Sequence, residues 1–181
     1  MTTRVVLTYK DYEVLPADGR RYELHDGELS VTPAPSPQHQ RVSRSLFRLL
    51  DPHVRARALG EVFYSPIDVI LSDTTILQPD LVFLEGSRQS AISRRGIEGP
   101  PSLVVEILSP STTQIDRDVK RQLYARYGVP YYWIADPDAR TIEAYRVAGG
   151  VYELAQRMEG GGSVELPPFT DLVLVPASIW S

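Results

Sequence analysis

Leu103-Val104-Val105-Glu106-Ile107-Leu108, followed by a helical stretch over residues 112–127 and by Tyr131-Tyr132-Trp133-Ile134-Ala135, decides the fold. The first run has the near-continuous hydrophobicity of a strand covered on both faces, interrupted only by Glu106. The intervening segment reads as a helix closed by Gly128 at its C-terminus, and the aromatic run as a second buried strand. Together they predict a strand, a crossover helix and a strand lying side by side in a mixed sheet.

Upstream, Val62-Phe63-Tyr64, Ile67-Asp68-Val69-Ile70-Leu71 and residues 76–84 read as strands of a meander. Ser36-Pro37 reads as an N-cap with proline at the first helical position. The helix it opens has Val42, Leu46, Leu49 and Leu50 as its buried stripe and Arg41, Arg44 and Arg48 on another side. Earlier still, Asp26-Gly27 reads as a two-residue hairpin turn that sets Leu24 opposite Leu29 and Tyr22 opposite Val31. The other face of that hairpin carries Glu23, His25, Glu28 and Ser30. Thr8-Tyr9-Lys10-Asp11 has the form of a capped helix start. Downstream, residues 141–147 and 151–156 flank Gly149-Gly150 and predict a C-terminal hairpin, with a loop at Gly160-Gly161-Gly162. The fold class expected is α/β (α+β): a mixed central sheet flanked by helices, between an N-terminal and a C-terminal hairpin, as a single domain over 1–181.

The 181 residues, 43% hydrophobic and 23% charged, suit one globular domain. A chain of this length buries roughly 70% of its unfolded surface. The absence of cysteine excludes disulfides, thiolate metal sites and cysteine nucleophiles, and fits a cytoplasmic location. Met1-Thr2-Thr3-Arg4-Val5-Val6 lacks the apolar stretch of a signal peptide. No run approaches the ~20 apolar residues of a membrane span, so no membrane role is expected. A net charge of −4 argues against a surface basic all over, and any polyanion surface must be local.

Three residues carry the chemistry: Asp80 behind Pro79, Glu106 inside its apolar strand, and Lys120 on the helix that follows. Taken alone, Pro-Asp is equally a turn dipeptide, and Lys120 equally an exposed lysine paired with Asp116 one turn away. Glu106 is more telling, because an ionised carboxylate in a buried strand costs several kcal/mol unless a cation or an ion pair compensates it. Asp80 and Glu106 lie in strands that can be neighbours. Two carboxylates about 5 Å apart repel by ~3 kcal/mol at an effective dielectric near 20, so they share a proton or a cation. Oxygen-only ligands select a hard ion such as Mg²⁺ or Mn²⁺.

These residues resemble the PD-(D/E)XK nuclease superfamily, and more closely its Uma-type restriction endonuclease family. The resemblance runs through Tyr22-Glu23-Leu24 with Asp26-Gly27, residues 36–39, Gln78-Pro79-Asp80 and Val105-Glu106-Ile107-Leu108-Ser109-Pro110-Ser111-Thr112. Lys120, Tyr124, Gly128-Val129-Pro130-Tyr131-Tyr132-Trp133 and Asp136 extend it. It implies Asp80 and Glu106 as metal ligands, completed by a backbone carbonyl near Ile107. It departs at Leu108, where the superfamily pattern calls for a lysine, so that Lys120 has to supply the ammonium from the helix.

The activity implied is metal-dependent hydrolysis of phosphodiester bonds in nucleic acid, DNA first, with Lys120 orienting water or offsetting transition-state charge. Glu23 and His39 match family positions as accessory residues, and Arg41, Arg44 and Arg48 can contact phosphates or simply be solvated. The alternative is a catalytically inactive nuclease-like module that binds DNA or oligomerises. Metal-free hydrolysis by two carboxylates ranks below both, since no aromatic sugar platform stands near them. Ser109-Pro110-Ser111 lacks the glycines of a nucleophile elbow. A homodimer is expected, with the aromatic strand and Ile179-Trp180 as its apolar surface.

Overall fold

The computed structural model describes residues 5–180. The absence of a leader, read in part from Met1–Arg4, concerns residues outside that range. In chain order the elements are α1 (Tyr9–Tyr12), β1 (Arg21–His25), β2 (Glu28–Thr32), α2 (Pro37–Ala56), β3 (Gly60–Tyr64), β4 (Val69–Ser72), β5 (Thr75–Leu77) and β6 (Leu81–Glu85). A 3₁₀ turn at Gly86–Ala91, β7 (Ile97–Glu98) and β8 (Leu103–Ile107) follow. A π-helical segment (Ile115–Lys120) runs into α3 (Arg121–Arg126), then come β9 (Tyr131–Asp136), β10 (Thr141–Ala148), β11 (Val151–Met158), β12 (Val164–Leu166), β13 (Phe169–Leu174) and α4 (Pro176–Ile179).

The predicted strand–helix–strand unit is the centre of the molecule. β8 and β9 pair in parallel, Leu103 opposite Tyr131 through Ile107 opposite Ala135, inside a six-stranded sheet ordered β11-β10-β9-β8-β6-β3. Its two faces take different helices. Val42, Leu46, Leu50 and Val54 of α2 pack on Leu81, Phe83, Leu103, Val105 and Ile107. Leu123, Tyr124 and Ala125 pack on Val104, Tyr132 and Ile134 from the other side. Each such aliphatic side chain, fully buried, contributes about 1.5–3 kcal/mol. The helix ends as Gly128 implies. With φ at +76°, Gly128 donates to the Ala125 carbonyl and Val129 to that of Tyr124, the double bond of a Schellman motif.

Both predicted hairpins form. β1 and β2 pair with Leu24 opposite Leu29 and Tyr22 opposite Val31, and β10 and β11 turn at Gly149-Gly150 with one register shift after Ala144. Ser36 caps α2 by accepting from the His39 amide, and Thr8 and Asp11 cap α1.

Several expectations need correction. The meander does not exist: β3 pairs directly with β6, while β4 and β5 leave for a second sheet ordered β2-β1-β5-β4-β7. Pro66 and Pro79 stand at the two crossings, where a residue without an N–H cannot extend a ladder. Asp80 therefore sits in the bend entering β6, and not within a continuous strand. The hairpin's faces are also not apolar against wet. Leu29 and Val31 are exposed, while Glu23 is buried. Val119, four residues before the buried Leu123 and so at helical spacing from it, is exposed. Tyr132, Trp133 and Ile179, expected at a dimer surface, are fully buried within the chain itself. The hairpin of β12 and β13 was not foreseen, and its Leu166 and Phe169 close the α2 side of the core. No helix among the described residues is long and apolar enough to cross a membrane.

Candidate metal centre

Five elements converge at one end of the central sheet. β6 and β8 are antiparallel with Leu81 opposite Val105, so the next step outward sets Asp80 beside Glu106. The Ile107 amide donates to Asp80 Oδ2 at 2.8 Å and locks that placement. Glu106 shares a face of the chain with Val104 and Leu108, two residues to either side, and so faces the helix packed there. From β1, Arg21 and Glu23, two residues apart, reach the same place. His39 enters from the first turn of α2.

The π-helical segment supplies the rest. Its i→i+5 pairing turns each residue less about the axis than an α-helix does, and such segments recur at functional sites. Asp116, Lys120 and Tyr124 all become buried, and Val119 is rotated out to solvent. Lys120 Nζ then stands 3.0 Å from Glu23 Oε1, 3.2 Å from Glu106 Oε1 and 3.3 Å from Asp116 Oδ1. The Asp116 contact is an ion pair without hydrogen-bond geometry. Tyr124 donates to Glu106 Oε1 at 2.9 Å.

Asp80 is held by a different set. Arg21 pairs with Oδ1 at 3.0 Å and also donates to the Gln78 carbonyl, and His39 Nε2 lies 3.1 Å from Oδ2. Glu23 accepts from the Gln78 amide at 2.7 Å and lies 3.2 Å from His25 Nε2. Arg21, His39, Asp80, Glu106, Asp116 and Lys120 line one cavity of about 210 Å³, to which Ile107 also contributes.

The two central carboxylates are set in opposite directions. Burial alone would raise Asp80, but His39, Arg21 and the Ile107 amide outweigh it and hold the group below its ordinary range. Glu106 is pushed well above its ordinary value, first by burial and then by Asp116, Asp80 and Glu23, against the pull of Lys120. Burial would likewise raise Glu23, yet Lys120 and His25 bring it to about 2. Burial would lower Lys120, and its three carboxylates raise it instead, so it stays charged.

A divalent ion fits this donor set in chemistry. Fully ionised, the four buried carboxylates Glu23, Asp80, Glu106 and Asp116 would exceed the two permanent cations Arg21 and Lys120 by two charges, a deficit that a dication matches. The ligands on offer are oxygens only, as Mg²⁺ and Mn²⁺ prefer. Among the described residues no three His, Asp or Glu side chains stand together as a ready-made ligand cluster.

Of the residues singled out from sequence, Asp80, Glu106, Lys120, Glu23, His39 and Ile107 meet here. Arg41, Arg44 and Arg48 do not: they are exposed on the face of α2 turned away from its buried stripe, and Arg41 borders another pocket beside Arg140 and Trp180. Arg21 and Asp116 were missed as site residues. The available signals were the two-residue spacing of Arg21 from Glu23 on one strand, and the four-residue spacing of Asp116 from Lys120, read only as surface pairing.

A mixed sheet covered by helices on both faces, with a proline-preceded aspartate beside a strand glutamate, defines a restriction-endonuclease-like nuclease fold. A solved structure described as "a putative nuclease belonging to DUF820" from Anabaena variabilis shares this fold with a TM-score of 0.79, over 96% of this chain and 97% of its own, at 20% identity. The family model Uma2, "Putative restriction endonuclease", matches residues 9–177, and the chain belongs to that family. No curated protein matches it.

Proposed function

We propose that this chain is one restriction-endonuclease-like domain that hydrolyses phosphodiester bonds of nucleic acid, DNA first, with Mg²⁺ or Mn²⁺, in the cytoplasm. The observation that carries the reading is the meeting of Asp80 and Glu106, from neighbouring strands, at one cavity with a buried lysine behind them. Asp80, Glu106 and the Ile107 carbonyl hold the ion. A bound dication supplies an acidified water and a Lewis acid for the phosphoryl oxygen.

The chain's own residues prepare those ligands. Lys120 and Tyr124 both engage Glu106 Oε1, which fixes the carboxylate and leaves Oε2 for a ligand. Glu23 and Asp116 hold the ammonium over Glu106, and His39 orients Asp80. Enclosed by three carboxylates, Lys120 offsets charge through Glu106. Leu108 is buried in the apolar cluster that also holds Val104, Leu123 and Tyr124, so the position where the superfamily pattern has its lysine carries no charge. That apolar seat is what favours the second reading, a nuclease-like module that binds without cutting.

Cleavage of plasmid, single-stranded DNA and RNA, with Mn²⁺ or Mg²⁺ against EDTA, separates the two. Metal-dependent cutting by the wild type, lost in Asp80→Asn and Glu106→Gln, is the expected result. Folded, metal-binding protein that leaves every substrate intact refutes the enzyme and supports the binding module.

A further inference from the structure

Arg21 occupies an unusual position among the cavity's basic side chains. Lys120 is enclosed, 4% exposed, by three carboxylates, and His39 is buried against Asp80. Arg21 pairs with a single carboxylate, keeps 16% of its side chain open, and lines the cavity. Its Nε is buried without a hydrogen-bond partner, so the pairing with Asp80 leaves the guanidinium fork incompletely used. A dication on either oxygen of Asp80 would stand within a few ångströms of that guanidinium, and like charges on one carboxylate repel. A guanidinium fork matches a phosphate in two-point geometry, whereas the cavity's other permanent cation is already saturated by carboxylates.

We propose that Arg21 is a placeholder cation: it neutralises Asp80 until a divalent ion binds there, and the displaced guanidinium then grips a phosphate of the nucleic acid strand. This rests on the metal-nuclease reading above and assigns that site its phosphate-binding residue. Arg21 stands at the first position of β1, where its long side chain can turn into the cavity without disturbing the strand pairing of Arg21 with Thr32.

The test reads metal and strand separately. Mn²⁺ is titrated into wild type, Arg21→Gln, Arg21→Lys and Asp80→Asn, with binding followed by electron paramagnetic resonance and folding by circular dichroism. Removing the competing charge should tighten Mn²⁺ binding about tenfold in Arg21→Gln, while Arg21→Lys stays near wild type. Binding of a labelled single-stranded oligonucleotide in Ca²⁺, where cutting is suppressed, should weaken about tenfold in Arg21→Gln and recover in Arg21→Lys. Unchanged or weaker Mn²⁺ binding in Arg21→Gln overturns the placeholder, and tighter Mn²⁺ with unchanged oligonucleotide binding overturns the phosphate grip. Wild type that binds no Mn²⁺, or binds it equally in Asp80→Asn, overturns the metal site itself and this inference with it.

Discussion

Replacing Lys120 by methionine tests whether the buried ammonium holds the site together. Three carboxylate oxygens lie 3.0, 3.2 and 3.3 Å from Nζ. Each such pair is worth ~5 kcal/mol of gross attraction at an effective dielectric near 20. Most of that is offset by the desolvation of the charges, so the net loss on removing the lysine is set by the carboxylates left behind, about 3–5 kcal/mol. For a domain of this size that lowers Tm by roughly 6–20 °C.

The pH dependence has a definite sign. Lys120 is raised above its ordinary 10.5, so its contribution is present at all lower pH and is lost only as pH climbs through the raised value. Glu23, brought from 4.5 to about 2, stabilises the fold above 4.5, and that contribution fades as pH falls toward 2. The variant lacks the cation that lowers Glu23, so the gap between the two proteins should be full at pH 7.5 and close across pH 4.5 to 2. Thermal melts followed by circular dichroism at pH 7.5 and at pH 3 read this directly. A variant melting within about 2 °C of wild type at pH 7.5 would refute the electrostatic argument, because a loss of even 1 kcal/mol moves Tm by that much.

Two further substitutions probe other parts of the construction. Glu106→Gln should raise stability at pH 7.5 by about 1–2 kcal/mol, because an ionised Glu106 is disfavoured by burial and by three other carboxylates. Its raised folded-state value makes wild type lose stability as pH rises past 4.5, and the glutamine variant should lack that decline; a denaturant midpoint at pH 7.5 below wild type's contradicts it. Gly128→Ala adds a Cβ that meets nothing within 4 Å, so its cost is the backbone's alone at φ +76°. About 1 kcal/mol is expected, and an unchanged denaturant midpoint would remove the Schellman cap from the reasons this helix ends where it does.

What the sequence disclosed is what short-range rules govern. Asp26-Gly27 dictates a register within a dozen residues, Ser36-Pro37 a helix start, and Gly128 a helix end, and all three appear as read. The β8–helix–β9 unit was legible because a strand covered on both faces has no polar alternation to confuse it. What stayed hidden depends on partners far along the chain. Glu23 sits on the polar side of its hairpin, yet β1 also pairs with β5, and Lys120 from nearly a hundred residues away covers that side. Val119 satisfies the 3.6-residue spacing, but a π-helical turn changes the period that the spacing argument assumes. Arg21 carries no motif of its own, and only the bend at Gln78-Pro79-Asp80 brings Asp80 within its reach.

The same chain positions explain why Asp80 and Glu106 are not equivalent. Asp80 collects a guanidinium, an imidazole nitrogen and a backbone amide, and is held ionised. Glu106 shares its one lysine with two other carboxylates, and burial pushes it toward the protonated form. Environments that drive paired carboxylates apart assign them different tasks. In the proposed metal site Asp80 would be the ligand already ionised, its charge balanced by Arg21. Glu106 would become a favourable ligand there only with further positive charge beside it. On that proposal, a site two charges short at full ionisation would draw a dication through Glu106 and place it through Asp80.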